Sequence, residues 1–107
     1  MGLIEYQKEA MKYDITKNYT EAIRREHMLV GCLEELGELA SLRKRQIRDS
    51  ADIAKHSLRA ELGDLLWYVA GMAESYGIGL QEIADYNLSK LAARRASNTI
   101  QGKGDNR

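Results

Sequence analysis

Residues 31–40 read Gly31-Cys32-Leu33-Glu34-Glu35-Leu36-Gly37-Glu38-Leu39-Ala40, and residues 61–70 read Glu61-Leu62-Gly63-Asp64-Leu65-Leu66-Trp67-Tyr68-Val69-Ala70. Within them the tetrapeptides Glu35-Leu36-Gly37-Glu38 and Glu61-Leu62-Gly63-Asp64 nearly repeat. In each, the two acids are three residues apart, which on a helix places them on one face about one turn apart. Residues 39–60 lie between the two pairs, enough chain to finish one helix, turn and return antiparallel. Packed side by side, two such helices bring four carboxylates to one place. Unpaired carboxylates repel and stay together only around something positive. Hard oxygen ligands select magnesium, manganese or calcium over zinc or copper.

Gly37 and Gly63 each cost about 1 kcal/mol relative to Ala in a helix interior. The repeated Leu-Gly insert is therefore expected to let two backbones approach closely or to leave room for a ligand. Leu33, Leu36, Leu62 and Leu65, beside the acids, are expected to face the core. The plainer alternative is a solvated acidic face with Lys or Arg partners, which has no need of the same insert twice.

Working outward, apolar residues recur at helical spacing along most of the chain. A first helix is expected over 3–13, with Ile4 and Met11 one heptad apart and Tyr6, Ala10 and Tyr13 nearby. A second spans about 20–47, capped by Asn18 or Thr20, with Ile23, Val30, Leu33, Leu36, Ala40 and Ile47 as its stripe. Asp49 and Ser50 are turn and cap residues. A third helix follows and ends near Tyr76, with Ile53, Leu58, Leu62, Leu65, Leu66, Val69 and Met72 as apolar positions. Gly77 then stands where a helix C-terminal glycine belongs, with Ile78 as its hydrophobic follower. The fourth helix runs from about Leu80 to Ser97, with Ile83, Ala84, Leu88 and Leu91 as a buried stripe. There is no Pro to break any of these.

The fold class this predicts is all-α: a four-helix bundle with two long central antiparallel helices. Residues 1–97 form the single domain, and 98–107 a flexible C-terminal tail that takes part in the phosphate site. The second helix would be roughly 40 Å long at 1.5 Å per residue. A chain of 107 residues cannot cover it, so a homodimer or a dimer of dimers is expected to complete the bundle.

Sixteen Lys and Arg balance sixteen Asp and Glu, so no nucleic-acid polymer is expected as a partner. No apolar run approaches ~20 residues and no signal peptide is visible, so the expected setting is cytoplasmic, away from the membrane. Cys32 is the only cysteine, which rules out an intrachain disulfide and reads as a reduced, packed thiol. His27 and His56 are isolated, form no metal-ligand pair with Cys32, and read as ordinary. Arg43, Lys44, Arg45 and Arg48 crowd the end of the second helix, where cations suit its dipole.

Asn87, Lys90 and Arg94 fall at i, i+3 and i+7 on one face of the fourth helix. An amide, an ammonium and a guanidinium suit the oxygens of a polyphosphate, although a solvated face has the same spacing. Trp67 and Tyr68 follow Asp64, as core rings or as platforms for a base near the metal. The tail Gln101-Gly102-Lys103-Gly104-Asp105-Asn106-Arg107 carries two glycines that let backbone amides approach an anion.

Taken together, these strings resemble the MazG-like nucleoside triphosphate pyrophosphohydrolases of the all-α group. That family carries a Glu-x-x-Glu helix followed by a Glu-x-x-Asp helix. Asn87-Leu88-Ser89-Lys90-Leu91 with Arg94 resembles its phosphate-contacting helix. Glu5-Tyr6-Gln7 and the ending Gly102-Lys103-Gly104-Asp105-Asn106-Arg107 resemble a small bacterial and phage branch. The resemblance implies that Glu35, Glu38, Glu61 and Asp64 bind magnesium, with manganese as a substitute, and form the catalytic centre. Asn87, Lys90 and Arg94 would contact the triphosphate. The tail, with Asp105, Asn106 and Arg107, would close over it, and Trp67 and Tyr68 would lie at the base. The implied reaction is hydrolysis between the α and β phosphates, giving a nucleoside monophosphate and pyrophosphate. Glu34 falls outside the motif and is not assigned as a ligand. A non-catalytic nucleotide-binding or assembly module and a metal-stabilised structural bundle are the readings left open beside it.

Overall fold

Thr20 opens the helix on which the rest of the molecule leans. In the computed structural model, which describes residues 1–52, 54–102, 104 and 105, its hydroxyl accepts from the Ile23 amide at 3.3 Å. Of the two candidate caps, Thr20 is the one used, satisfying an amide that the first turn leaves without a partner. The elements run in order as α1 (Leu3–Ala10), a 3-10 turn (Met11–Tyr13), α2 (Glu21–Asp49), α3 (Lys55–Ser75) and α4 (Leu80–Ala96). No strand occurs among the described residues. No helix of theirs is long and apolar enough to cross a membrane. Ile53, expected on the third helix, lies outside the described residues.

The first helical stretch spans 3–13 as its apolar spacing predicts, its last three residues tightening into the 3-10 turn, and Asp14 fixes its exit. Its buried carboxylate accepts from the Thr16 amide at 2.8 Å and the Thr16 hydroxyl at 2.6 Å. It also accepts from Arg24 Nε at 3.1 Å and Nη2 at 2.8 Å. The chain thus leaves the helical path at Asp14 and is tied to the first turn of α2. Burial by itself would raise the Asp14 carboxyl, but the bonds from Thr16 and Arg24 outweigh it and hold the group below its ordinary 3.8.

α3 ends as expected. Gly77 takes a positive φ of 69°, its amide bonds the Glu74 carbonyl at 2.9 Å, and the Ile78 amide reaches back to Ala73 at 2.9 Å. Only a residue without a Cβ adopts this turn at no cost. Asn98 takes the same left-handed role after α4, with Thr99 N–H bonded to the Arg94 carbonyl at 2.8 Å.

α2 and α3 lie antiparallel in a fixed register. Going back along α2 by three or four residues matches the same step forward along α3: Glu35 meets Asp64, Gly31 meets Tyr68, Met28 meets Gly71, and Arg25 Nε donates to the Ser75 carbonyl at 3.0 Å. A Cβ at Gly31 would run into the Tyr68 ring, and one at Gly71 into the end of the fully buried Met28. Each pair sets a large side chain over a bare backbone. Gly37 and Gly63 play no such part, because a Cβ at either meets nothing within 4 Å. In place of the expected approach of two backbones, side chains close on bare backbone at Gly31 and Gly71, and the two motif glycines face open space.

α1 packs on the other side of α3. Ala10, Met11, Ala70 and Leu80 form the small core there, with Leu3, Tyr6, Trp67 and Val69 against it. Gln7 fastens the corner: its amide nitrogen donates to the Ile78 carbonyl at 3.1 Å, and its oxygen accepts from the Leu80 amide at 2.8 Å. Burying that amide is affordable only because both ends are bonded.

The expected buried stripe of α4 is not buried. Leu88 is 64% exposed, and Ile83 and Leu91 about 40%. Leu80, at the start of α4, enters the core beside α1 and bonds Gln7, while the helix's later apolar residues lie exposed. On α2, Ile23, Val30, Leu33, Leu36 and Ile47 are likewise exposed. The radius of gyration, 16.7 Å, exceeds the roughly 13 Å of a compact chain this long. Four helices are present, but one chain does not supply enough surface to close them around their apolar faces.

Candidate active site

Three of the four motif acids converge. Glu35 from α2 and Glu61 and Asp64 from α3 each offer a carboxylate oxygen, all within 4.8 Å of one another. The register of the two helices produces this, since the acids share one face of each. Glu35 is buried, Glu61 half-buried and Asp64 exposed, so the group opens to solvent on the Asp64 side. Glu38, one turn further along α2, is exposed and is not among these three.

Glu35 carries the electrostatic cost of the arrangement. Oε2 is buried without a hydrogen-bond partner. Burial, a proton shared with Glu61, and the charges of Asp64, Glu61 and Glu34 push its carboxyl up to about 7. A buried carboxylate oxygen with nothing to accept from is what a cation would satisfy. The donor set is all oxygen and net negative, so a hard divalent ion fits it.

The aromatic pair beside Asp64 divides in two. Trp67 Nε1 donates to the Ala10 carbonyl at 2.9 Å, and the indole packs into the α1–α3 core. Tyr68 stands edge-on to it, with ring centroids 5.1 Å apart at 89°. The Tyr68 ring lies over Gly31 beside an open cleft of about 370 Å³ that also touches Glu34. Burial, then the charges of Glu34, Glu35 and Asp64, raise the Tyr68 hydroxyl above its ordinary 10.0, so it remains a proton-bearing donor. Tyr6 is raised by burial and by Asp64, which sets the start of the chain near the acids too.

On α4, Lys90 and Arg94 already hold an anion. Asp105 Oδ1 accepts from Lys90 Nζ at 3.0 Å and from Arg94 Nη2 at 2.9 Å. Arg94 Nη2 also lies 3.4 Å from the Gly104 carbonyl. The hydrogen bond from Lys90 leads, with Lys90's charge and Arg94 following, in holding the Asp105 carboxyl below its ordinary 3.8. Arg94 is buried and Lys90 half-buried, so the two cations are pre-placed rather than free in solvent. Asn87 is exposed on the same helix. No ion pair among the described residues joins Lys90 or Arg94 to the three acids. Lys103, Asn106 and Arg107 lie outside the described residues.

The two glycines that set the helix contact, Gly31 and Gly71, were not singled out by the sequence reading. The register could have found them: once Glu35 is placed opposite Asp64, Gly31 falls opposite Tyr68 and Gly71 opposite Met28.

The acids on α2 and α3 fall within residues 19–98, which match the model of the MazG nucleotide pyrophosphohydrolase domain. The chain belongs to the MazG family. The gene 37 protein of Mycobacterium phage L5 is 38% identical over 85 residues, covering 76% of this chain and 75% of that one. No solved structure matches the chain. The MazG match spans all three converging acids, Glu38, and Asn87, Lys90 and Arg94, but stops before the tail that carries Asp105.

Proposed function

We propose that this protein is a magnesium-dependent nucleoside triphosphate pyrophosphohydrolase. The observation that carries the reading is the buried Glu35 carboxylate, its Oε2 unpartnered, which offers an oxygen within 4.8 Å of oxygens of Glu61 and Asp64, on the two helices of a MazG domain. Glu35, Glu61 and Asp64 would hold the metal, joined by Glu38 one turn along α2. Bound there, magnesium, or manganese in its place, neutralises phosphate charge and makes a bound water more acidic.

The chain's own residues do the rest. The reaction forms a bond from water oxygen to phosphorus and breaks the α–β phosphoanhydride, releasing pyrophosphate. A carboxylate of the acidic group takes the proton that the water gives up. Lys90 and Arg94, with Asn87, hold the phosphate chain and offset charge on the leaving pyrophosphate. To do so they release Asp105, so the tail exchanges places with the substrate's phosphates, and Arg107 closes over them. A second copy of the chain covers the exposed faces of α2 and α4, giving a homodimer or a dimer of dimers.

Phosphorus NMR of a panel of nucleoside triphosphates with magnesium tests the reaction. Monophosphate and pyrophosphate are expected. Diphosphate with orthophosphate, or no turnover of any triphosphate, would overturn it. Light scattering tests the assembly, and a monomer across micromolar concentrations would remove the second copy.

A further inference from the structure

The cleft beside the acidic group is walled in two ways. Most of the residues that line it, Gly31, Glu34 and Tyr68 among them, stand on α2 or α3, so the register of those helices places them. Tyr19 is different. Among the described residues that line the cleft it alone lies on neither helix, and its position depends on the connection between the 3-10 turn and Thr20. Its ring stands edge-on to His27, with centroids 6.0 Å apart at 85°, and His27 is tilted against Tyr68 at 6.3 Å and 49°. Tyr68 in turn feels the charges of Glu35 and Asp64, so the row of three rings runs from the connection to the acids.

That connection has a buried polar anchor. The Asp14 side chain has no exposure, and both of its oxygens are occupied. Oδ1 accepts from the amide and the hydroxyl of Thr16, which is itself fully buried, and Oδ2 accepts the two-pronged guanidinium of Arg24 on α2. The Thr16 carbonyl then accepts from the Tyr19 amide at 3.0 Å, and Thr20 caps α2 immediately after. The backbone of Tyr19 is thus pinned on both sides, and the pinning traces back to one carboxylate. A buried ion pair adds little net stability, because taking two charges out of water offsets most of their attraction. What it supplies is a single geometry, since a guanidinium fork fits a carboxylate in few orientations. An apolar contact would close the same connection without fixing where Tyr19 stands. Arg24 and His27 are also three residues apart on α2, which puts the anchor and the ring that meets Tyr19 on one face, a turn apart.

We propose that Asp14 and Arg24 are positioning residues for the substrate: through Thr16 they hold Tyr19 against His27 and so set the wall that flanks a nucleotide bound at the acids. This rests on the pyrophosphohydrolase reading for what the acids hold. Because the pair acts through Tyr19, loosening it weakens binding and leaves the chemical step alone. The sequence reading set His27 aside as ordinary; the fold makes it the ring that Tyr19 meets.

Asp14→Asn would strip the guanidinium of its partner and risks unfolding, so in the full-length protein the tether is loosened with Arg24→Lys, which keeps the charge and loses the fork. Tyr19→Ala removes the ring at the other end. The chain has two histidines, and His56 stands exposed in the first turn of α3, so proton NMR of the imidazoles in the metal-free protein carries its own control. Both variants are expected to move the His27 signals in the same direction, Arg24→Lys by the smaller amount, and to leave His56 in place. His27 signals unmoved in either variant would overturn the proposal. Steady-state kinetics with magnesium reads the consequence. Each variant is expected to raise KM by roughly three- to tenfold, the range of a lost aromatic contact, with kcat within about twofold of the parent, as for lost uniform binding. The double variant is expected to match Tyr19→Ala alone, because a residue that acts through Tyr19 then has nothing left to move. Effects that multiply in the double variant, or a KM untouched by Arg24→Lys, would overturn the positioning role. Absence of any turnover would sink the reaction and the substrate half of the proposal together, whereas normal turnover with unmoved His27 signals would sink the tether and keep the reaction.

Discussion

The middle of α2 and α3 and the far end of α4 are built on opposite terms. In the middle, large side chains lie over bare backbone, Tyr68 on Gly31 and Met28 on Gly71, so the helices are locked at one distance and one register. That rigidity is what forces Glu35, Glu61 and Asp64 together against their mutual repulsion. Along α4, apolar side chains face outward, and the two buried or half-buried cations share a single carboxylate of the chain's own tail. The acidic half of the site is held by packing and charged like a compressed spring. The basic half is held by an exchangeable ion pair. A rigid acidic group with a displaceable ion pair suits the proposed pyrophosphohydrolase, whose substrate would have to enter and whose pyrophosphate would have to leave.

The largest effect that would break this contrast is on turnover. Glu35→Gln and Asp64→Asn are each expected to lower kcat/KM by at least about a hundredfold, equal to about 2.7 kcal/mol, with the far-ultraviolet circular dichroism spectrum unchanged. Glu38→Gln is expected to do likewise if that side chain joins the metal. Near-normal activity in that variant would leave a three-acid site.

Next in size is the packing contrast between glycines. Gly31→Ala drives a methyl group into the Tyr68 ring and is expected to cost about 1–3 kcal/mol of stability. Gly37→Ala meets open space within the chain and should instead stabilise it by up to about 1 kcal/mol through helix propensity. Chemical denaturation of both variants reads the difference. A destabilised Gly37→Ala would mean that a second copy or a ligand occupies that space.

The stored repulsion has its own pH signature. The unfolded chain gives up the Glu35 proton near the ordinary 4.5, while the folded chain keeps it to about 7. Between those values the folded state binds more protons, so the stability of the metal-free protein falls as pH rises through that window. Thermal melts in chelator from pH 4.5 to 8 should show the decline, and Glu35→Gln should flatten it. Magnesium should raise the melting temperature most above pH 7, where the ion no longer competes with a proton. A melting temperature that rose with pH across the same window in chelator would contradict the compressed-acid picture.

Smallest is the tail. Asp105→Asn is expected to leave the melting temperature unchanged, because the acid is exposed. At low salt it should tighten pyrophosphate binding by roughly two- to fivefold, an advantage that added salt erases. Weaker pyrophosphate binding would show that Asp105 positions Lys90 and Arg94 rather than competing for them.

The sequence by itself determined a good deal here. Helical spacing and cap chemistry are local properties, so four helices, the Gly77 stop and the acid pairs on one face each could be read residue by residue. It also showed which residue types could hold a hard cation. The tertiary structure decided which of those features meet. Whether a glycine is used depends on what lies across from it, and that is set by the distance and rotation between two helices, so Gly31 and Gly71 carry the contact while Gly37 and Gly63 face open space. Asp14 fixes the exit from the 3-10 turn after α1 through bonds to Thr16 and to Arg24 on the next helix, which no apolar period records. Trp67 and Tyr68, adjacent in sequence, point about 100° apart on a helix, so one enters the core and the other floors the cleft. Spacing along a helix is written in the chain; the partner across the interface is fixed only once the helices have packed.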